Sequence, residues 1–379
     1  MTHVNVRTVT RALGGLLAFA FTLLPGVAPA QSIVVTPLSG GAGNSIAYGI
    51  SAGNQVGFDG VSAAHATLWT GTAASAVDLN PAGAFFSLAY AASATQQGGR
   101  ANFTNVNGTD HAALWSGTAG SFVDLHPAGA TSSVVNALTA TQQGGAATFA
   151  GFNHAYLWSG AAASGVDLQP VGAGSSQLTA MTATQQGGLA GVGSNVHAGL
   201  WSGTAGSFVD LNPGGATDSY LYAMTNGGQG GVAYFTATPH AGLWAGTAGS
   251  FVDLDPGTAG GSVLYAMAGG YQVGAALMAG GAPHAALWQG SSATFLDLHS
   301  VIAGTLGGSY TLSTLRGAEL VGSTLYLVGD AENPLTSGTV AFLITAPVSA
   351  VPEPASAAIL GGLMAAGFAW WRRPRGAGR

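Results

Sequence analysis

A unit of about 43 residues recurs six times along this chain of 379 residues, and its period limits the possible folds more than any other feature. Each unit contains the run His-Ala-x-Leu-Trp, and an Asp-Leu pair begins 13 residues after the His. The histidines are His65, His111, His154, His197, His240 and His284, and the aspartates are Asp78, Asp124, Asp167, Asp210, Asp253 and Asp297. Fixed periods of this length are typical of solenoids and propellers.

The composition of each unit favours short β-strands over helices. The chain has 62 glycines, which disfavour helix interiors, and its apolar residues show no 3.6-residue period. In the fourth unit we predict strands near 177–182, 188–192, 197–202 and 207–211, with turns at 185–188 and 202–206. Four strands in a unit of this length match the size of one β-propeller blade.

The ends of the repeat region predict that the blades close into a ring. After the sixth unit, a weaker copy supplies three strands near 310–315, 320–329 and 339–345 but no fourth. The segment 32–37 resembles the missing strand. We therefore predict an all-β, seven-bladed propeller closed by this N-terminal strand, which leaves no long exposed sheet edge. Six blades and an open β-solenoid are the alternatives.

The beginning of the chain predicts export. A basic start and a short apolar stretch lead to Ala28, Ala30 and Gln31, where small residues precede a predicted cut at Gln31. This order is typical of a secretory signal peptide. The predicted domains are the signal peptide, residues 1–30, the propeller, residues 31–350, and a C-terminal segment, residues 351–379.

The C-terminal segment has three parts. Its short motif is Pro352, Glu353 and Pro354; an uncharged stretch of 17 residues follows at 355–371; its basic tail includes Arg372, Arg373 and Arg375. As a helix, the uncharged stretch would be about 25 Å long, close to the roughly 30 Å hydrocarbon core of a membrane. The arginines favour the cytoplasmic side. We therefore predict a C-terminal transmembrane helix.

These three parts together resemble the PEP-CTERM sorting signal of Gram-negative bacteria. The resemblance implies recognition by an exosortase, cleavage near the motif, and a cell that makes an exopolysaccharide. The His-Ala-x-Leu-Trp units resemble extracellular His-Ala-Phe (HAF) repeats over about residues 32–345, although Ala, Thr, Tyr or Gly stands where Phe is typical. This second resemblance implies an extracellular location and a repeat fold, and it implies no chemistry.

The charge of the predicted mature domain excludes several kinds of partner. The chain has no Lys, and residues 31–350 carry two arginines against 13 acidic residues. Such a surface disfavours nucleic acid and anionic lipid, and it disfavours strongly acidic polysaccharides unless a divalent cation bridges them. Cysteine is absent, so disulfides and thiolate sites are excluded.

The repeated His and Asp permit two interpretations. A zinc site needs three or four ligands at one point, whereas one His–Asp pair per blade supplies two. Catalysis needs one asymmetric site, which identical pairs around a ring do not form. We therefore predict that each pair is a buried structural hydrogen bond, and we assign no metal, cofactor or catalytic residue.

The predicted function is that of a non-enzymatic, monomeric cell-surface or matrix protein that binds polysaccharide or other surface proteins. The alternative is a propeller-type polysaccharide hydrolase or lyase, which would need non-repeat acids such as Asp59, Asp110 and Asp218 to converge at the central channel. A loop with Asp330, Glu332 and Asn333 is predicted to be solvated, with weak Ca²⁺ binding as the alternative.

Overall fold

The computed structural model describes residues 32–350 except 40–42, 61–62, 107, 259, 308–309 and 334–337. In the described part, 28 strands form seven four-stranded antiparallel sheets, which are the blades of a propeller. The predicted cleavage residues, the predicted sorting residues and the predicted C-terminal helix lie outside the described residues. Among the helices that are described, none has the length and apolar character needed to cross a membrane.

Each of the first six blades takes its four strands in chain order, from the central channel outward. Blades 1 to 3 comprise β2 (Asn44–Ser51), β3 (Asn54–Gly60), β4 (His65–Trp69) and β5 (Val77–Asp78); β6 (Phe86–Ala92), β7 (Gln97–Asn102), β8 (Asp110–Trp115) and β9 (Val123–Asp124); β10 (Ser132–Leu138), β11 (Gln143–Phe149), β12 (Phe152–Trp158) and β13 (Val166–Asp167). Blades 4 to 6 comprise β14 (Ser176–Met181), β15 (Gln186–Val192), β16 (Asn195–Trp201) and β17 (Val209–Asp210); β18 (Asp218–Thr225), β19 (Gly228–Phe235), β20 (Thr238–Trp244) and β21 (Val252–Asp253); β22 (Ser262–Ala268), β23 (Tyr271–Leu277), β24 (Pro283–Trp288) and β25 (Leu296–Asp297).

Blade 7 joins the two ends of the described chain. It comprises β26 (Leu312–Val321), β27 (Thr324–Asn333), β28 (Gly338–Pro347) and, as its outermost strand, β1 (Val34–Pro37). Val34 pairs with Thr345, and Pro37 pairs with Phe342. The predicted seven blades and the predicted closure by the N-terminal strand are both confirmed.

A buried serine links every blade to the one before it. In each innermost strand, a serine hydroxyl accepts the backbone N–H of an alanine in the third strand of the preceding blade. These serines are Ser45, Ser87, Ser133, Ser176, Ser219, Ser262 and Ser313. Ser45 accepts from Ala341 of blade 7 at 2.9 Å, so the same bond also closes the ring.

The run Gln186-Gly187-Gly188, which we call the Gln-Gly-Gly signature, lies in the second strand β15 and not in the predicted turn at 185–188. In blade 4, the Oε1 of Gln186 accepts the N–H of Gly203 at 2.8 Å and so holds the turn after β16. Gly188 lies opposite a bulge in β14, where an added Cβ would stand 1.9 Å from the carbonyl oxygen of Gln177. Only glycine fits at this close approach, which explains its recurrence in each blade.

Three other predicted boundaries change. The fourth strand of blade 4 is only Val209–Asp210, because a 3-10 turn at Ala205–Ser207 takes the residues before it. In blade 7, the first two strands extend further along the chain than predicted, as β26 and β27. Sequence periodicity marks where apolar residues recur but not where a bulge or turn shifts the register.

One short helix, α1 (His299–Leu306), interrupts the all-β pattern between blades 6 and 7. It begins where the other five units have a proline and this one has Ser300. Ile302 is its buried residue and packs in the core of blades 6 and 7. The helix ends at Gly307, whose positive φ of 68° is a common helix stop.

Candidate functional site

A bulge in each innermost strand turns one side chain toward the central channel. The strand register shifts at this residue in every blade. The seven bulge residues are Tyr48, Tyr90, Asn136, Thr179, Tyr222, Tyr265 and Arg316, and with Gln177 they line a cavity of about 370 Å³. Because all seven innermost strands contribute to its wall, this cavity lies on the ring axis.

The blades carry different residue types at the bulge position. In ring order, blades 5, 6, 7, 1 and 2 carry Tyr222, Tyr265, Arg316, Tyr48 and Tyr90, which we call the aromatic arc. Blades 3 and 4 complete the ring with Asn136 and Thr179. The channel therefore has one aromatic, cationic side and one small polar side.

The members of the aromatic arc contact one another. The ring centroids of Tyr48 and Tyr90 are 5.1 Å apart, and those of Tyr222 and Tyr265 are 5.5 Å apart. The Arg316 guanidinium lies 5.5 Å from the Tyr48 ring centroid and 5.9 Å from that of Tyr265, within cation–π range. Its Nε donates to Asp330, which fixes the guanidinium in place.

The small polar side is tied to the scaffold. The Nδ2 of Asn136 donates to the carbonyl oxygen of Leu178 in the next blade at 2.8 Å. The hydroxyl of Thr179 donates in the same way to the carbonyl oxygen of Leu221. These two side chains hold neighbouring blades together, whereas in the arc the Tyr90 side chain hydrogen-bonds to Arg100.

Burial keeps the tyrosines of the arc neutral. It raises the pKa of Tyr90 to about 12, and it raises the pKa values of Tyr48, Tyr222 and Tyr265 as well. Burial opposes the charge on Arg316, but the Asp330 carboxylate outweighs it and raises the pKa of the guanidinium. The arc therefore presents neutral O–H groups and one fixed cation over the whole physiological pH range.

The channel changes character along its axis. We call the side where the innermost strands begin the upper face and the side where they end the lower face. Toward the lower face, the residues after the bulges are apolar and form a mouth lined by Ile50, Leu138, Met181, Met224 and Met267. Several of these side chains also pack against the cores between blades, as Met181 and Met224 do.

The predicted His–Asp hydrogen bonds are present in all six units. Each joins the His Nδ1 to the Asp Oδ2 at 2.7–2.8 Å, and links the third strand of a blade to the fourth. The other Asp oxygen accepts a backbone N–H two residues on, as from Asn212 to Asp210 at 2.8 Å. The pairs are not buried as predicted: His197 is 16% exposed and Asp210 is 41% exposed.

Non-repeat acids do not converge on the channel. Asp59, Asp110 and Asp218 lie on blades 1, 2 and 5, and none of the described residues that line the central cavity is acidic. Asp110 pairs with Arg100 at 2.6 Å, and Asp218 accepts the N–H of Val196 at 2.9 Å. Burial raises the pKa of Asp59.

The predicted loop with Asp330, Glu332 and Asn333 is instead the end of β27. Asp330 is nearly buried there and pairs with Arg316. No group of three or more His, Asp or Glu that could hold a metal ion occurs within the described ranges.

Sequence reasoning missed the seven channel residues, although a signal was present. Each unit has a variable position after an apolar or small residue and before a Gly or Ala, as in Leu221-Tyr222-Ala223 and Leu178-Thr179-Ala180. Aligning the units at this position would have shown Tyr, Asn, Thr and Arg in one place. The His and Asp are the stronger signal in the sequence, but they recur in all six units and so do not mark an asymmetric site.

Comparison with known proteins adds little to this description. No known protein family matches the sequence, and no curated protein matches it. Among solved structures, the chain is similar to TolB from Acinetobacter baumannii, with 9% identity and a TM-score of 0.42 over 67% of this chain and 64% of that one. It is also similar to Trypanosoma rangeli sialidase in complex with the inhibitor DANA, with 9% identity and a TM-score of 0.41 over 84% of this chain and 60% of that one.

The chain therefore spans about three fifths of the length of these two structures (64% and 60%). Similarity this low transfers no function. The seven-bladed architecture is established by the strand pairing of the chain itself.

Proposed function

We propose that this chain is an exported, non-enzymatic β-propeller that binds polysaccharide in its central channel. The observation that supports this most is the aromatic arc, because four tyrosines and an arginine break the symmetry of an otherwise repetitive ring. Sugars combine apolar ring faces with many hydroxyls. A tyrosine offers an apolar ring face and a polar O–H, and an arginine offers a planar set of donors.

A concave polar-aromatic site on a rigid scaffold suits this role. Small-ligand sites are typically pre-formed concavities in which a few polar groups fix the ligand's orientation. The Ser45 bond and strand β1 close the ring around the cavity, so its walls are held by every blade. A ligand therefore meets side chains that are already in place, which reduces the entropy lost on binding.

The alternative function, a polysaccharide hydrolase or lyase, is less well supported. Hydrolysis by the usual mechanism needs two carboxyl groups flanking the scissile bond, and the acids named above lie on separate blades. A tyrosine acting as a general base works best with a pKa near the working pH. Burial moves the pKa of Tyr90 away from that range, to about 12.

A glycan array tests the binding proposal. The wild-type chain is expected to bind a subset of glycans, and a Tyr222→Thr/Tyr265→Thr variant is expected to lose those signals. Threonine is chosen because blade 4 already carries Thr179 at this position. Equal glycan signals from both proteins, or none from the wild type, would contradict channel binding.

Export and sorting are a separate part of the proposal and rest on the two ends of the sequence. We propose that an exosortase recognises Pro352, Glu353 and Pro354 while residues 355–371 lie in the inner membrane. A Glu353→Gln variant is expected to keep its wild-type melting temperature but to accumulate as the unprocessed, membrane-bound form. Immunoblotting of cell fractions measures this processing. Normal processing of the variant would contradict recognition of the motif.

A further inference from the structure

A second cavity, of about 270 Å³, adjoins the central one toward the upper face. The two share Tyr90, Asn136 and Gln177 as lining residues. The second cavity extends outward over blades 2 and 3, where Arg100 and Asn153 belong to its wall. A ligand too long for the centre could therefore continue into this second cavity past Tyr90.

A charged pair in the second cavity interrupts the repeat. The position of Arg100 is apolar in the other five full units, and Asp110 stands where blades 4, 5 and 6 have an apolar residue or proline. The corresponding residues are Phe58, Ala146, Leu189, Val232 and Ala275 for Arg100, and Ala64, Asn153, Val196, Pro239 and Pro283 for Asp110. The pair is only partly buried, with the Arg100 side chain 33% exposed, and ion pairs in such positions are seldom more stabilising than an apolar pair of similar size. Stability of the fold therefore does not explain this pair.

The bonding of Arg100 leaves donors for a ligand. One terminal nitrogen donates to Asp110 at 2.6 Å, and Asp110, only 5% exposed, also accepts from Asn102 at 2.9 Å. The Nε of Arg100 is buried and has no partner among the described residues. The Arg100 side chain as a whole is 33% exposed, so the terminal N–H groups that Asp110 does not use can donate to a ligand hydroxyl.

The opposite wall also has a group held ready by its neighbour. The hydroxyl of Thr148 donates to the Oδ1 of Asn153 at 2.7 Å, which sets the orientation of the amide. The amide NH₂ then has no partner within the described ranges. Aromatic, guanidinium and amide groups thus border one cavity within reach of a small ligand. The Arg100 guanidinium carbon lies 5.9 Å from the centroid of the Tyr90 ring.

We propose that the two cavities are adjoining subsites for a neutral saccharide of at least two pyranose units, with Tyr90 at the junction. This inference rests on the proposed channel binding and adds the length and the charge of the ligand. A neutral ligand is favoured because each guanidinium is already balanced, Arg100 by Asp110 and Arg316 by Asp330. A uronate would lie close to both carboxylates and would enter a protein surface that is already strongly acidic.

Isothermal titration calorimetry on the full chain tests the inference. The probes are neutral gluco-, galacto- and manno-oligosaccharides of one to four units, and oligogalacturonates of the same lengths. The dissociation constant is expected to fall at least tenfold from one to two units of the preferred neutral sugar. It is expected to change little beyond the length that fills both cavities, and uronates are expected to bind at least tenfold more weakly.

Two variants test the second subsite separately from the first. Arg100→Leu/Asp110→Val gives blade 2 the residues that blade 4 has at the same positions, Leu189 and Val196, so folding is expected to be retained. Asn153→Val makes the matching change in blade 3. Both are expected to abolish the gain from one unit to two.

The outcomes separate this inference from the proposed function. Length-independent affinity, a retained gain in both variants, or tighter binding of uronates would overturn the inference while channel binding stands. Loss of all saccharide binding in Tyr222→Thr, with no effect of the blade 2 variant, would likewise overturn the inference and leave channel binding standing. A wild-type chain that binds none of the probes would overturn both.

Discussion

At the residue scale, the positions that recur from blade to blade have a bonding or packing reason in the scaffold. The serine links blades, the glutamine holds a turn, and the second glycine of the signature admits a close carbonyl. The His–Asp pair ties the two outer strands of one blade. Invariance within the chain therefore marks the scaffold, and variation at the bulge marks the candidate site.

The glycine opposite the bulge is expected to be the least replaceable residue of a blade. Gly188→Ala would place a methyl group 1.9 Å from the Gln177 carbonyl oxygen, and neither strand can move away without breaking its ladder. The expected loss in the free energy of unfolding is about 3 kcal/mol or more. Gly206→Ala, where nothing lies within 4 Å of the added Cβ, is the matched control and is expected to be near neutral in the same denaturation series.

The His–Asp pair is expected to contribute modestly to stability and nothing to metal binding. Asp210→Ala removes the bond from His197 and the bond from the Asn212 N–H, at a cost of about 1–2 kcal/mol for a partly exposed group. Urea denaturation measures this change. Zinc or a chelator is expected to leave the melting temperature of the wild type unchanged, and a zinc-dependent increase would contradict the structural role.

At the element scale, the sequence was enough to place most strands. Trp, Leu and Asp recur at fixed distances, so blade number and ring closure could be deduced before the structure. What could not be deduced depends on contacts between strands. The bulge in β14 shifts one residue toward the channel, and the 3-10 turn at Ala205–Ser207 shortens β17 to two residues. The only sign of helix α1 in the sequence is Ser300, which stands where the other five units have a proline.

Strand β1 is expected to hold the ring closed through its buried side. Val35→Asp would place an unpaired charge in the core of blades 6 and 7, since Val35 is 6% exposed. The expected cost is about 3 kcal/mol or more. Val34→Asp is the control on the opposite side of the same strand, because Val34 is 50% exposed and is expected to tolerate the charge. Equal melting temperatures for the two variants would argue against closure by β1.

At the scale of the whole molecule, an acidic ring surrounds a channel that holds its only two arginines outside the terminal segments. Both arginines are paired with aspartates, and both lie near tyrosine rings. The sequence showed this charge imbalance but not that each arginine lies beside a tyrosine of the arc, because Arg100 and Arg316 are far apart in the chain. Only ring closure brings blade 7 beside blade 1.

The shifted pKa values predict how binding depends on pH. An ordinary tyrosine has a pKa near 10, whereas Tyr90 ionises at about 12 in the folded chain. Affinity for the preferred glycan is therefore expected to stay constant up to about pH 10. The contribution of Tyr90 to stability is complete below about pH 10 and is lost as the pH rises toward 12, since the folded state holds its proton longer. Tyrosinate absorbance and calorimetry across this range measure both effects.

The central claim is that invariant positions build the ring and the variable bulge positions bind the ligand. Its most direct test is the dissociation constant of the best array glycan for Tyr222→Thr, measured beside the melting temperature of the same protein. The account predicts at least a tenfold weaker affinity, equivalent to about 1.4 kcal/mol, with an unchanged melting temperature, because Thr179 already occupies this position in blade 4. An unchanged affinity together with a lowered melting temperature would contradict it.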